Sequence, residues 1–134
     1  LAFARPFPAY ADLWPRALAI ARSMPEMDQL ELINAHPRLG APPADVSALS
    51  FREQGYDRAA AELEAGRVGA ELERLNQAYE ARFGFRFCVF VNGRTRAALL
   101  PVIEAALAAD RSAEIRRALG DVITIAADRA RTLA

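Results

Sequence analysis

The sequence contains no lysine, and all 17 of its basic residues are arginine. That removes Schiff-base chemistry with a carbonyl substrate or pyridoxal phosphate, and it removes the GK[ST] loop that cradles nucleotide phosphates. Histidine and cysteine occur once each, as His36 and Cys88. One thiol cannot close an internal disulfide, and one of each cannot build the usual nitrogen and sulfur shell of a zinc ion. No apolar run nears the roughly 20 residues of a membrane helix. No signal-peptide pattern opens the chain, so the cytoplasm is the default location. The arginines are balanced by 17 acidic residues, for a net charge of zero. Basic residues scattered among acids form no stripe for a phosphate backbone, which sets nucleic acid aside as a partner. Any chemistry therefore falls to His36, carboxylates, arginines, hydroxyls, backbone amides and the substrate itself.

What is present is 134 residues, 53% of them apolar, enough for one core and one domain spanning residues 1–134. The chain opens on Leu1 rather than methionine, from which a missing N-terminal portion is expected. Helical spacing dominates. After an extended Arg5-Pro6-Phe7-Pro8 lead, Tyr10 to Met24 carries Leu13, Trp14, Leu18 and Ala21 on one stripe, with Pro15 tolerated near its start. Pro25 restarts the chain into a short helix with Met27, Leu30 and Ile33, ending near His36-Pro37 because a residue before proline leaves the helical region. Arg38 to Leu49 reads as a loop. Ser50-Phe51-Arg52-Glu53 has the form of a capping box, and Gly66 is a candidate break. Val68, Leu72, Leu75, Tyr79 and Phe83 then line a longer helix closed at Gly84.

Phe85 to Val91 changes period and is aromatic and β-branched, with Asn92-Gly93 as a turn after it. A strand needs a partner, and no second run of this kind exists, so the segment is expected to be an extended buried crossing between helices. Its backbone polar groups must then be met by side chains, water or a ligand. Two more helices follow, Thr95 to Ala109 with Leu99, Leu100, Ile103 and Leu107, and Ser112 to about Leu133 with Ile115, Leu119, Val122, Ile123 and Ala126. The expected fold is all-α, a single compact bundle of six or so helices.

His36 is the one side chain whose ordinary pKa lies near neutrality, so proton transfer falls to it first. A histidine closing a helix is also simply a good partner for the helix dipole. Glu53 is fully accounted for as a cap. If the loop between them folds back, however, a helix N-terminus carrying Ser50, Glu53 and Gln54 faces the end of the His36 helix, and the pocket suits a small anionic substrate. Arg129 falls on the apolar stripe of the last helix, where it either snorkels past the core or holds a buried anion. Cys88 reads as a small buried hydrophobe. Glu62, Glu64, Glu71, Glu73 and Glu80 read as solvated faces with helix-supporting pairs.

Four blocks occur in order: Ala35-His36-Pro37-Arg38-Leu39-Gly40; Ser50 with Glu53-Gln54; Leu75-Asn76, Tyr79 and Arg82-Phe83-Gly84-Phe85; and Ile125-Ala126 with Arg129. Together with the Arg5-Pro6-Phe7 lead they resemble the 2-oxo-4-hydroxy-4-carboxy-5-ureidoimidazoline (OHCU) decarboxylase family of uric acid breakdown, over nearly the whole chain. The resemblance implies an all-helical, cofactor-free, homodimeric enzyme with no metal, converting OHCU to (S)-allantoin. It places the essential histidine on His36 and the pocket glutamate on Glu53. Substrate contacts fall on Pro37, Ser50, Gln54, the backbone of Phe87, Cys88, Val89, Phe90 and Val91, and Arg129. The sequence departs from the family in its short start and in Ala130, where leucine is usual. Two rivals stand beside this reading: a relative acting on another small ureide or heterocyclic acid, and a non-catalytic helical interaction domain.

Overall fold

The structure is a computed structural model that describes residues 6–39 and 58–133. Five helices and no strand occur among the described residues: α1 (Pro6–Ser23), α2 (Glu26–Asn34), α3 (Arg58–Phe83), α4 (Arg96–Leu107) and α5 (Arg111–Leu133). The all-α expectation holds. The described chain falls into two compact units, the first of Leu1–Pro37, Cys88–Phe90 and Ala109–Ala134, the second of Arg38–Phe87 and Val91–Ala108.

In the first unit α1 and α2 both pack on α5. Its buried apolar residues are Ala21 of α1, Ile33 of α2, Cys88, and Ile115, Ala118, Leu119 and Val122 of α5. Gln29 Nε2 donates to the carbonyls of Ala21 (3.0 Å) and Arg22 (3.1 Å), so a side chain of α2 helps satisfy the last carbonyls of α1. An ion pair between Arg111 and Glu26 (3.0 Å) joins the starts of α5 and α2.

Three expectations change here. The lead is helical from Pro6, a residue suited to a first helical position because the N–H it lacks has no intrahelical partner there. Pro15 consequently lies well inside α1 and withholds the N–H that the Ala11 carbonyl would accept. Of the expected α1 stripe only Ala21 is buried, and Leu13 is 44% exposed. On α5 the helix begins at Arg111, with the Asp110 carbonyl accepting from Glu114 N–H (2.9 Å), so Ser112 sits within the first turn instead of capping it.

The second unit is α3 against α4. The expected α3 stripe of Val68, Leu72, Leu75, Tyr79 and Phe83 is buried throughout, as are Leu99, Ile103 and Ala106 of α4. Gly66 does not break the helix. Its alanine, glutamate, arginine and leucine neighbours are strong helix formers, and together they outweigh the roughly 1 kcal/mol that one glycine costs. Thr95 caps α4, its hydroxyl accepting from Ala98 N–H at 3.1 Å.

Gly84 ends α3 as expected, with φ at +81° and its N–H on the Glu80 carbonyl at 2.9 Å. A Cβ there would meet no atom within 4 Å, so the cost of one is conformational rather than steric. Gly84→Ala is expected to lose about 1–2 kcal/mol, read as a lower urea midpoint at unchanged slope. Asn92 (φ 51°) and Gly93 (φ 75°) form the expected turn, closed by Arg94 N–H on the Val91 carbonyl at 3.0 Å. Two left-handed central residues in succession mark a type I′ turn, which explains the Asn-Gly pair.

Candidate active site

His36 stands just past α2, where the helix unwinds ahead of Pro37. Its N–H donates to the Ile33 carbonyl (3.2 Å), and its half-buried ring sets Nδ1 3.3 Å from the Leu32 carbonyl. A carbonyl only accepts, so this contact favours the tautomer with the proton on Nδ1. Pro37 is exposed.

The chain after Pro37 is fixed by α3. Arg38 donates from Nε to Glu80 Oε2 (2.7 Å) and from Nη1 to both oxygens of Glu73 (3.0 and 2.9 Å). Asn76 Nδ2 donates to the Leu39 carbonyl at 2.9 Å. The Asn76 side chain is 1% exposed, and its Oδ1 has no hydrogen-bond partner among the described residues. Hydrogen bonds to Glu80 and then Glu73 hold the Arg38 guanidinium above its ordinary pKa. The bond from Arg38, then that from Gln77, holds the Glu73 carboxyl below the usual carboxylate range. Glu73 and Glu80 therefore do more than pair along their own helix: they take an arginine 35 and 42 residues away. Glu64–Arg67 and Glu71–Arg74 are the exposed i,i+3 pairs that the spacing implies.

The extended segment behaves as its composition suggests at one end. Phe87 and Cys88 are buried, Val89 and Phe90 half-buried, and Val91 is 36% exposed. Within the first unit its backbone is met by side chains of α5. Arg117 Nη1 donates to the Cys88 carbonyl (3.0 Å), and Phe90 N–H donates to Asp121 Oδ2 (3.2 Å).

The Cys88 thiol is pushed up to about 11, first by burial and next by the Asp121 charge, with Arg117 opposing. A thiol at that value is almost wholly protonated near neutral pH and is no nucleophile. Cys88 is expected to resist iodoacetamide at pH 8 in the folded protein and to react once urea unfolds it, as mass spectrometry would show. Because the folded pKa lies above the unfolded one, the stability tied to this thiol is complete below about pH 9 and is lost as pH rises toward 11.

Arg129 is exposed on α5, two turns beyond Val122, the last buried residue of that helix. Of the two alternatives for this arginine, the exposed one is observed. His36, Pro37, Cys88, Val89, Phe90 and Arg129 belong to the first unit, while Phe87 and Val91 belong to the second. Ser50, Glu53 and Gln54 lie outside the described residues. Among the described residues no group of three or more His, Cys, Asp or Glu side chains is placed to hold a metal ion, and no helix is long and apolar enough to cross a membrane.

Sequence reasoning missed two sets of residues, Glu73, Asn76 and Glu80 around Arg38-Leu39, and Glu114, Arg117 and Asp121 around Cys88–Phe90. A signal existed for two of them. Asn76 and Glu114 occupy buried helix positions, at i+4 from Leu72 and beside Ile115, where a polar residue needs a partner.

A family model described as OHCU decarboxylase matches residues 1–131. The chain is 34% identical over 122 residues to the uric acid degradation bifunctional protein PucL of Bacillus subtilis, and 27% identical over 122 residues to the uric acid degradation bifunctional protein of Bacillus sp. TB-90. Each match covers 91% of this chain and 24% of the relative, so the chain spans about a quarter of the length of these two proteins. It is also 34% identical over 124 residues to the 2-oxo-4-hydroxy-4-carboxy-5-ureidoimidazoline decarboxylase of Haloferax volcanii, covering 91% of this chain and 71% of that one.

Proposed function

This chain belongs to the OHCU decarboxylase family, and from that premise we propose that it is a carboxy-lyase of uric acid breakdown, converting OHCU to (S)-allantoin as one functional domain. The observation that carries the reading is the family match over residues 1–131, which spans both compact units.

The chemistry suits the side chains available. Decarboxylation needs a destination for the electron pair of the breaking carbon–carbon bond. OHCU supplies one, because its carboxylate sits on the carbon next to a ring C=N. The pair moves toward that nitrogen, carbon dioxide leaves, and a proton added to the ureido-bearing carbon from one face sets the handedness of the product. The protein has to orient the substrate, exclude water and deliver that proton. His36 is the acid/base, and its half-buried ring just past the end of α2 supports the role. Glu53 orients it. Pro37, Ser50, Gln54 and the backbone of Phe87, Cys88, Val89, Phe90 and Val91 hold the ring and ureido groups, and no cofactor takes part. The exposure of Arg129 supports a part in attracting the substrate anion.

The proposal also takes the enzyme to be a cytoplasmic homodimer. Exposed Leu13 (44%), Ile20 (64%) and Met27 (83%) on α1 and α2 support the assembly, and a sedimentation profile that stays monomeric up to high micromolar protein would refute it. The decisive assay is stopped-flow circular dichroism on freshly generated OHCU. Faster decay with a signal of one sign is expected. A racemic product at the uncatalysed rate sinks the substrate assignment.

A further inference from the structure

Extended backbone without a ladder partner leaves donors and acceptors on both edges, and in a sheet each edge would be met by a neighbouring strand. In the first unit a cluster of side chains on α5 takes the place of one neighbour. Glu114, only 3% exposed, receives Arg117 in a forked pair, with Nε at 3.0 and 3.2 Å and Nη2 at 2.9 Å. That pair fixes the guanidinium plane. Nη1 then donates in two directions, to the Cys88 carbonyl at 3.0 Å and to Asp121 Oδ2 at 2.9 Å. Asp121 Oδ2 accepts in turn from Phe90 N–H at 3.2 Å. One carbonyl and one N–H, two residues apart, are thus held by a single charged network.

Residues i and i+2 of an extended segment present their polar groups on one edge, and residue i+1 presents its groups on the other. The Cys88 carbonyl and the Phe90 N–H meet the same α5 side chains, as i and i+2 of an extended segment do, and that pattern assigns the Val89 groups to the other edge. The Val89 N–H and C=O have no hydrogen-bond partner among the described residues. We propose that Arg117, braced by Glu114 and acting with Asp121, is a positioning residue: it fixes the Cys88–Phe90 backbone so that the Val89 edge is set to receive the amide and ureido groups of the substrate. The inference rests on the decarboxylase reading, in which this backbone touches substrate.

Arginine is required for the geometry. A lysine ammonium is a point charge that cannot fork onto Glu114 while reaching both the Cys88 carbonyl and Asp121. The bonds at stake engage parts of the substrate away from the reacting carbon. They act alike on ground state and transition state, so their loss raises KM and spares kcat.

The test uses the full chain in four forms: wild type, Arg117→Lys, Asp121→Leu and Asp121→Asn. Folding is monitored by circular dichroism, the Phe90 amide by hydrogen exchange without substrate, and OHCU turnover by stopped flow. In Asp121→Leu and Arg117→Lys, KM is expected to rise about tenfold with kcat within about threefold, the size of one lost hydrogen bond. The Phe90 amide should exchange faster in Asp121→Leu. Asp121→Asn keeps an oxygen acceptor for Phe90 N–H and should restore KM to within about threefold of wild type. Wild-type exchange at Phe90 in Asp121→Leu overturns the anchor. Faster exchange with unchanged KM overturns the positioning role. Absence of OHCU turnover in the wild type is a separate result that overturns the decarboxylase reading, and the positioning inference falls with it.

Discussion

His36→Ala is expected to slow OHCU turnover by about 10²–10⁴-fold, the range a positioned general acid or base supplies. Composition makes the effect this large. With no lysine and a single histidine, the chain has no second side chain of near-neutral pKa to take over the proton. The fold should survive, because the ring is half-buried and its recorded bond to the Leu32 carbonyl is a long 3.3 Å. A stability loss of no more than about 1 kcal/mol is the scale for a histidine closing a helix. Stopped-flow circular dichroism and thermal unfolding on the same preparation separate the two effects. An alanine variant that still makes allantoin of one hand at the wild-type rate refutes the role assigned to the imidazole.

The largest effect on stability is expected from Tyr79→Ala. The ring is fully buried in the second unit, with its centroid 4.6 Å from that of Phe83, 5.1 Å from Phe87 and 5.6 Å from Phe85. Deleting a buried aromatic ring costs about 3–5 kcal/mol, from lost burial and the cavity left behind, and tilted and edge-on pairs add to that. Against a total of about 5–15 kcal/mol for a domain, much of the stability would go. Urea unfolding should show a strong fall in midpoint, and Tyr79→Phe, which keeps the ring cluster, should avoid most of the loss. A Tyr79→Ala midpoint within error of wild type would mean that the four rings do not form a common core.

The parts of this molecule that could be read in advance are those set by near neighbours. The α3 stripe from Val68 to Phe83 is five residues on one face of one helix, and all five are buried. Gly84 and Asn92-Gly93 announce themselves because few residues accept positive φ. His36 at the end of α2 follows from the proline after it. The α1 stripe was less legible, since an apolar pattern says that a face is sticky and leaves open what covers it, and Leu13 is exposed. What escaped altogether is held by long-range bonds. Nothing local distinguishes Glu73 and Glu80, which hold Arg38, from Glu64 and Glu71, which pair one turn along their own helix. Arg117 likewise looks like any arginine of a charged helix until Cys88 and Phe90 are seen against it. Glu53, Ser50 and Gln54 lie outside the described residues, so for them the sequence remains the whole argument.

The Arg38 clamp carries a consequence for enzymology in acid and base. Its cation is held above an already high pKa, and the Glu73 carboxylate is held below its ordinary range. Between about pH 5 and 9 neither partner changes charge, and that contribution fades only as acid protonates Glu73. The Arg38-Leu39 peptide is therefore moored on α3 by a bond indifferent to proton concentration throughout that interval. A bell or a single step in the rate–pH curve within that interval reports on reacting groups, with the mooring silent.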